Sequence, residues 1–239
     1  MRLYGTTDVG LIRKNNEDSY LVDDEGRFCA LADGMGGAAA GEIASRIFVE
    51  TGLEVFSDYE EFTGDEGYEL IQKTFGLANK RILDHVIEFP EHTGMGCTAE
   101  LLAFTGEGFV LGHMGDSRTY RLRDGQLKQL TRDHSLVQDQ LDQGIITPEQ
   151  ARNHAHKNVI LRAVGVSQNP SLDIIRGKTF PGDLFLLCSD GLSDMVHDDL
   201  IASVCTSSAD LEKKGADLIS LAKQAGGKDN ITVVLALIE

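Results

Sequence analysis

Tryptophan is absent from the 239 residues, and proline and cysteine occur four times each. With so little proline, no low-complexity tract and no internal repeat, there is no linker at which to divide the chain, so one domain over residues 1–239 is expected. Cys29, Cys97, Cys188 and Cys205 form no CxxC pair, which argues against a thiol-ligated zinc site or a redox dithiol; Cys29 and Cys188 lie in apolar, strand-like runs and read as reduced, buried thiols. No apolar run approaches membrane-spanning length, and the opening MRLYGTTDVGLIRKNNED lacks the apolar core of a signal peptide, so the expectation is a soluble cytoplasmic protein with no membrane association. Basic residues are scarce. Lys and Arg number 22 against 38 Asp and Glu, a formal net charge of -16, which repels a phosphate backbone and makes nucleic acid an unsuitable partner. Nucleotide-binding loops are missing too: there is no GxxxxGK[ST], and the glycine-rich ALADGMGGAAAGE at 30–42 is not GxGxxG and carries an aspartate at its mouth.

What is present alternates between strand and helix patterns. RLYGTTDVG, DSYLVDD and RFCALAD read as strands. Two helices follow: GEIASRIFVETGLEVF, with Ile43, Ile47 and Leu53 on one stripe, and a second with Ile71, Phe75, Ala78, Ile82 and Val86 at spacings of three and four. Both stripes are expected to pack on a sheet. TAELLAF, FVLGHMGD and RTYRLRDGQLKQL return to strand, with Asp124-Gly125 as a hairpin turn. Residues of about 134–165 change character: SLVQDQLDQG reads as a short helix and Thr147-Pro148-Glu149 starts another, together a helical flap. DLFLLCSD, a helix within ADLEKKGADLISLAKQAGG, and the strand ITVVLALI close the chain. Strand blocks interrupted by helix pairs indicate an α+β layered fold rather than βαβ alternation.

Most of the acidic excess reads as solvated surface, but four acids stand apart. Asp33 follows FCALA, Asp116 follows FVLGHMG, Asp190 follows LFLLCS, and Asp229 precedes ITVVLALI. A carboxylate beside a buried strand is costly unless balanced, and several together repel one another. Convergence on cations resolves the repulsion, and oxygen donors without a His or Cys cluster select Mg²⁺ or Mn²⁺ over zinc. Asp33-Gly34 and Asp190-Gly191 place a glycine after the acid, permitting a sharp turn or close approach of a carbonyl to a ligand. His154 and His156 form an HxH in a polar context and read as surface residues.

RKNNEDSY, ALADGMGG, LGHMGDSRTYRLRDG, LLCSDGLSDMV and GKDNITVV occur in an order that resembles the PP2C (PPM) family of metal-dependent protein serine/threonine phosphatases, in its compact bacterial form, across essentially the whole chain. The resemblance implies a four-layer αββα sandwich of two antiparallel sheets flanked by helices, with metals in a cleft at one end. It implies that Asp33 bridges two Mn²⁺ or Mg²⁺ ions, that Asp190 and Asp229 complete the first, and that the Gly34 carbonyl serves the second. Asp116, shared with Asp190, matches the ligand of a third, weaker ion. Glu17 and Asp18 match residues that hold metal-bound waters or reach the second ion, and Arg13 matches the phosphate-binding arginine. The implied activity is hydrolysis of phosphoserine and phosphothreonine monoesters by a water held between two metals, on phosphorylated protein substrates, opposing a Ser/Thr kinase, with a monomer as the default.

Two positions depart from the pattern. Met35 stands where many eukaryotic members have a histidine, so no general acid is transferred to it; Cys97 in Gly96-Cys97-Thr98 replaces a usual threonine and reads as a packing residue, not a nucleophile. Gly36 and Gly37 are expected to let the chain turn into the helix near Gly41. A non-catalytic phosphatase-like regulator and a metal-dependent phosphodiesterase or nuclease are the competing classes; the intact acid set opposes the first and the charge balance the second.

Overall fold

The computed structural model describes residues 1–36, 40–106, 108–152 and 154–239. Gly37, expected to take part in the turn after Asp33, lies outside the described residues. Eleven strands and seven helices are described, in the order β1 Arg2–Asp8, β2 Asp18–Val22, β3 Phe28–Met35, α1 Gly41–Phe56, α2 Gly64–Glu88, β4 Gly96–Cys97, β5 Ala99–Thr105, β6 Gly108–Met114, β7 Arg118–Arg123, β8 Gln126–Gln129, α3 Leu136–Asp142, α4 Pro148–Arg152, β9 Asp173–Gly177, β10 Leu184–Cys188, α5 Asp190–Ser193, α6 Asp198–Thr206, α7 Leu211–Gln224 and β11 Ile231–Leu237. A 3-10 turn at Pro90–His92 follows α2.

The strands make two sheets, ordered β1-β11-β10-β7-β8 and β2-β3-β5-β6-β9, with β4 paired to β3. All the pairings are antiparallel. Strands β3 and β10 are buried on both faces, which is why FCALA and LFLLC read as unbroken runs instead of alternating ones. Cys29, Leu31, Leu102 and Leu111 of one sheet meet Phe185, Leu187, Val234 and Ala236 of the other. The intervening residues Phe28, Ala30, Leu101 and Ala103 face α1 and α2, while Leu184, Leu186, Val233 and Leu235 face the helices on the other side. The layers are therefore helix, sheet, sheet, helix, the expected αββα sandwich.

Helix α1 is rotated from the expected stripe. Its buried face runs through Ala44, Phe48, Val55 and Phe56, with Ile43 and Ile47 at the flank and Leu53 48% exposed. Three small buried residues, Ser45, Thr51 and Gly52, complete that face, and their low hydrophobicity disguised it. The α2 stripe falls where its spacing placed it, and the helix opens on a capping box in which Thr63 and Glu66 satisfy each other's backbone N–H. Asp124 (φ 51°) and Gly125 (φ 75°) form the tight turn between β7 and β8. In the flap, Ser135 caps α3 by accepting from Gln138 N–H, and Thr147 exchanges backbone and side-chain hydrogen bonds with Gln150 at the start of α4. The four cysteines are buried and unpaired.

Candidate metal centre

The two sheets end together, and each contributes acids at the same edge. Asp33 lies in β3 opposite Asp18 of β2, and Asp116 follows β6; these come from one sheet. Asp190 follows β10 and Asp229 precedes β11; these come from the other. Asp33, Asp116, Asp190 and Asp229 line one cavity of about 540 Å³ together with Arg13, Glu17, Gly34 and Met35. Among the described residues no three His, Cys, Asp or Glu side chains converge into a closed ion cage as they stand, so the carboxylates share a cavity rather than a finished ligand shell. His154 and His156 are not part of its lining.

The electrostatics follow from burial of like charge. Burial pushes the Asp33 and Asp190 carboxyls well above the usual range, and neighbouring aspartates push further: Asp18, Asp190 and Asp116 on Asp33, and Asp116, Asp194 and Asp229 on Asp190. Burial, with Asp133 and Asp194, raises Asp116 to about 7. Asp18 rises to about 6, chiefly by burial, although Thr232 and Ser189 donate to its Oδ2 at 2.6 and 2.8 Å. Its Oδ1 is buried without a hydrogen-bond partner. Burial and then Glu42 raise Glu17. Crowded, oxygen-only donors with an orphaned carboxylate oxygen fit a set that divalent cations would complete. Among the described residues of the lining one cationic side chain is present: Arg13 Nη2 lies 2.8 Å from Asp229 Oδ2.

Local packing explains the glycines in terms of space. A Cβ on Gly34 would stand 2.2 Å from the Gly41 carbonyl oxygen and 2.6 Å from that of Glu17; one on Gly191 would stand 1.8 Å from the Asn230 carbonyl oxygen. Neither glycine has the left-handed φ that a conformational requirement would demand, whereas Gly36 does, at 149°. Gly34 N–H donates to the Glu17 carbonyl at 3.1 Å, which joins the NED segment to the Asp33 strand.

Several residues that the sequence reading passed over hold this arrangement. Asn230 accepts from Glu17 N–H (2.8 Å) and donates to the Val9 and Asn15 carbonyls (3.1 and 2.9 Å), tying the β1–β2 loop to β11. Thr98 receives the Asp33 N–H at 3.2 Å and pairs with Ser117 at 2.6 Å, tying β3 to the connection between β6 and β7 that carries Asp116. Their signal in sequence was faint: neutral polar residues at the ends of apolar runs. Cys97 is fully buried, its thiol pushed up by burial and by Asp33, and its Sγ lies 3.7 Å from the Ala44 carbonyl, so it packs and does not attack.

Two packed antiparallel sheets inside helices, with acids from both sheets meeting at one end, define the PP2C-type sandwich. The family model described as protein phosphatase 2C matches residues 13–231, and the chain belongs to that family. It is 40% identical over 240 residues to the serine/threonine protein phosphatase PstP of Mycobacterium tuberculosis, covering 99% of this chain but 45% of PstP. It is 37% identical over 233 residues to the serine/threonine phosphatase stp of Listeria innocua, covering 96% of this chain and 92% of that protein. A solved structure of the PstP catalytic domain with two manganese ions matches with a TM-score of 0.87 and 39% identity, over 100% of this chain and 98% of that one.

Proposed function

We propose that residues 1–239 form one catalytic unit that hydrolyses phosphoserine and phosphothreonine monoesters of proteins, using Mn²⁺ or Mg²⁺. The observation that carries the reading is the set of mutually repelling aspartates from both sheets in one cavity beside an arginine. Asp33 would hold both ions, Asp190 and Asp229 the first, and the Gly34 carbonyl the second; Asp116 with Asp190 would hold a weaker third. When bound, such ions acidify water and stabilise the attacking and leaving oxygens of an in-line displacement.

The protein's own groups do the rest. Arg13 exchanges its contact with Asp229 for the phosphate oxygens of the substrate, for which a planar guanidinium is suited. Asp18, its Oδ2 held by Ser189 and Thr232, turns the unpartnered Oδ1 to orient water, and Glu17, the residue before it, does so from the cavity lining. Met35 supplies no proton, and no histidine is among the described residues of the lining. With the four cysteine thiols buried, no phosphocysteine intermediate forms.

The flap of about 134–165 borders a second cavity of about 520 Å³ that shares Asp116 and Asp190 with the first, and it would tune substrate choice. No helix among the described residues is long and apolar enough to cross a membrane. A monomer acting in the cytoplasm on phosphoproteins, with a Ser/Thr kinase as its counterpart, completes the proposal. The test is phosphate release from a phosphothreonine peptide by chelator-treated protein with Mn²⁺ restored. Turnover that appears with Mn²⁺ and stops with chelator is expected; none from the Mn²⁺-loaded protein would sink the enzyme reading in favour of a non-catalytic regulator.

A further inference from the structure

Asp116 and Asp190 are the acids shared by both cavities, and Asp116 is the one that the flap approaches through its neighbour Gly115. Its direction depends on Gly115, whose N–H and carbonyl, in the peptides before and after it, are both held by His134. Gly115 N–H donates to His134 Nδ1 at 3.2 Å, and the Gly115 carbonyl accepts from His134 N–H at 2.7 Å. Gly115 has φ 116° and no room for a side chain, since a Cβ would stand 2.5 Å from Thr98 Cβ. A backbone amide only donates, so Nδ1 carries no proton and the imidazole is neutral with its hydrogen on Nε2. That hydrogen is donated to Asp173 Oδ2 at 3.1 Å. Burial and the neighbouring His113 push His134 down to about 4, in keeping with the neutral ring.

The ring has little freedom to tilt. His134 is 2% exposed, and its centroid lies 4.5 Å from that of His113, which is itself fully buried and held between Glu100 and the Arg132 carbonyl. The backbone of the same residue anchors the far end of the flap: Leu161 N–H donates to the His134 carbonyl at 2.7 Å, with Ser135 and Ile160 bridged beside it. One residue thus touches the peptide that aims Asp116 and both ends of the segment that covers the second cavity.

We propose that His134 is the positioning residue for Asp116 and joins it mechanically to the flap, so that displacement of the flap redirects this carboxylate. The inference rests on reading Asp116 as a cation ligand. Occupation of the flap cavity by a substrate segment would thereby alter cation affinity at Asp116, and a cation there would alter flap mobility.

Calorimetric Mn²⁺ titration tests this, the event lost in Asp116→Asn marking the Asp116 ion. His134→Gln moves the polar atoms beyond reach of Gly115 N–H, whereas His134→Asn keeps an oxygen where Nδ1 stood. The Gln variant should weaken the marked event by about tenfold, as loss of a partner that orients a ligand does. The Asn variant should stay near wild type, and amide exchange at Gly115 and Leu161 should quicken in Gln but not in Asn. A Gln variant that binds as wild type overturns the proposal, and so does equal weakening by both variants, which would mark a general packing role. If the wild type takes up Mn²⁺ without an event that Asp116→Asn removes, Asp116 is not a ligand and the proposal falls while the metal centre stands. Absence of any Mn²⁺ uptake by the wild type overturns the reading of the whole cavity.

Discussion

Asp183 and Asp116 show the two directions in which burial takes a carboxylate. Asp183 is 2% exposed, yet it lies below the usual range: burial raises it, but Arg123, paired through Nε and Nη2 at 2.7 and 2.6 Å, and Phe180 N–H at 2.9 Å outweigh the burial. A depressed folded value gives stability that is present above the unfolded value of 3.8 and is lost as pH falls. Asp183→Asn should therefore lower stability by about 1.5 kcal/mol at neutral pH, the worth of a charged hydrogen bond with a partly exposed partner. Urea melts should show the difference shrinking below pH 4. At Asp116 burial, Asp133 and Asp194 outweigh a backbone hydrogen bond and the charge of Arg118, and it rises. The contrast explains what was legible at this scale. An acid closing an apolar run is an anomaly visible in a short window, and Asp33, Asp116, Asp190 and Asp229 were each seen that way. Asn230, Ser189, Thr232 and His134 are ordinary polar residues whose partners lie far away in sequence, so nothing local marks them.

At the scale of elements, hydrophobic period located most strands and the long helices but aimed α1 poorly. Its buried face mixes Ser45, Thr51 and Gly52 with Phe48 and Val55, because Ser45 donates to the Glu17 carbonyl at 2.6 Å and Thr51 to Ile47 at 2.6 Å. A face that satisfies its polar atoms internally does not look apolar in sequence. Phe48→Ala should cost about 3–5 kcal/mol in a denaturant melt, the range for emptying a packed aromatic site, while Leu53→Ala should stay within about 0.5 kcal/mol. Equal costs would restore the original stripe. Strand β9 and helix α6 escaped the sequence reading. The residues of β9 are all partly or largely exposed, as befits a sheet edge, and α6 buries Ile201 and Cys205 alone, too few to set a period.

For the molecule as a whole, the fold brings two sheets together at the one end where each presents acids, and that meeting works against stability until the charge is balanced. Carboxyls raised in the folded state bind protons that the unfolded chain has released, so stability falls as pH rises through the window between the two values. For Asp18, at about 6, and Asp116, at about 7, that window opens near the ordinary 3.8 and closes near 7. Chelator-treated protein should melt at a lower temperature at pH 8 than at pH 6. Mn²⁺ at a hundred times its pH 8 dissociation constant should add about 2.7 kcal/mol at pH 8 and less at pH 6, where protons compete for the same carboxylates, and so narrow the difference. A metal-free protein equally stable at both values would mean that the acids are not crowded as described.

The central claim is that this crowding exists to hold the ions that do the chemistry, and Asp33, on which Asp18, Asp190, Asp116 and Asp229 all press, is where to test it. The measurement is phosphate release from a phosphothreonine peptide by Mn²⁺-loaded wild type and Asp33→Asn, beside Mn²⁺ titration of both. The account predicts that the variant stays folded, binds Mn²⁺ far more weakly, and turns over at least about a hundredfold more slowly, as expected when charge stabilisation is removed from a transition state. An Asp33→Asn protein with wild-type turnover and wild-type Mn²⁺ uptake would contradict it.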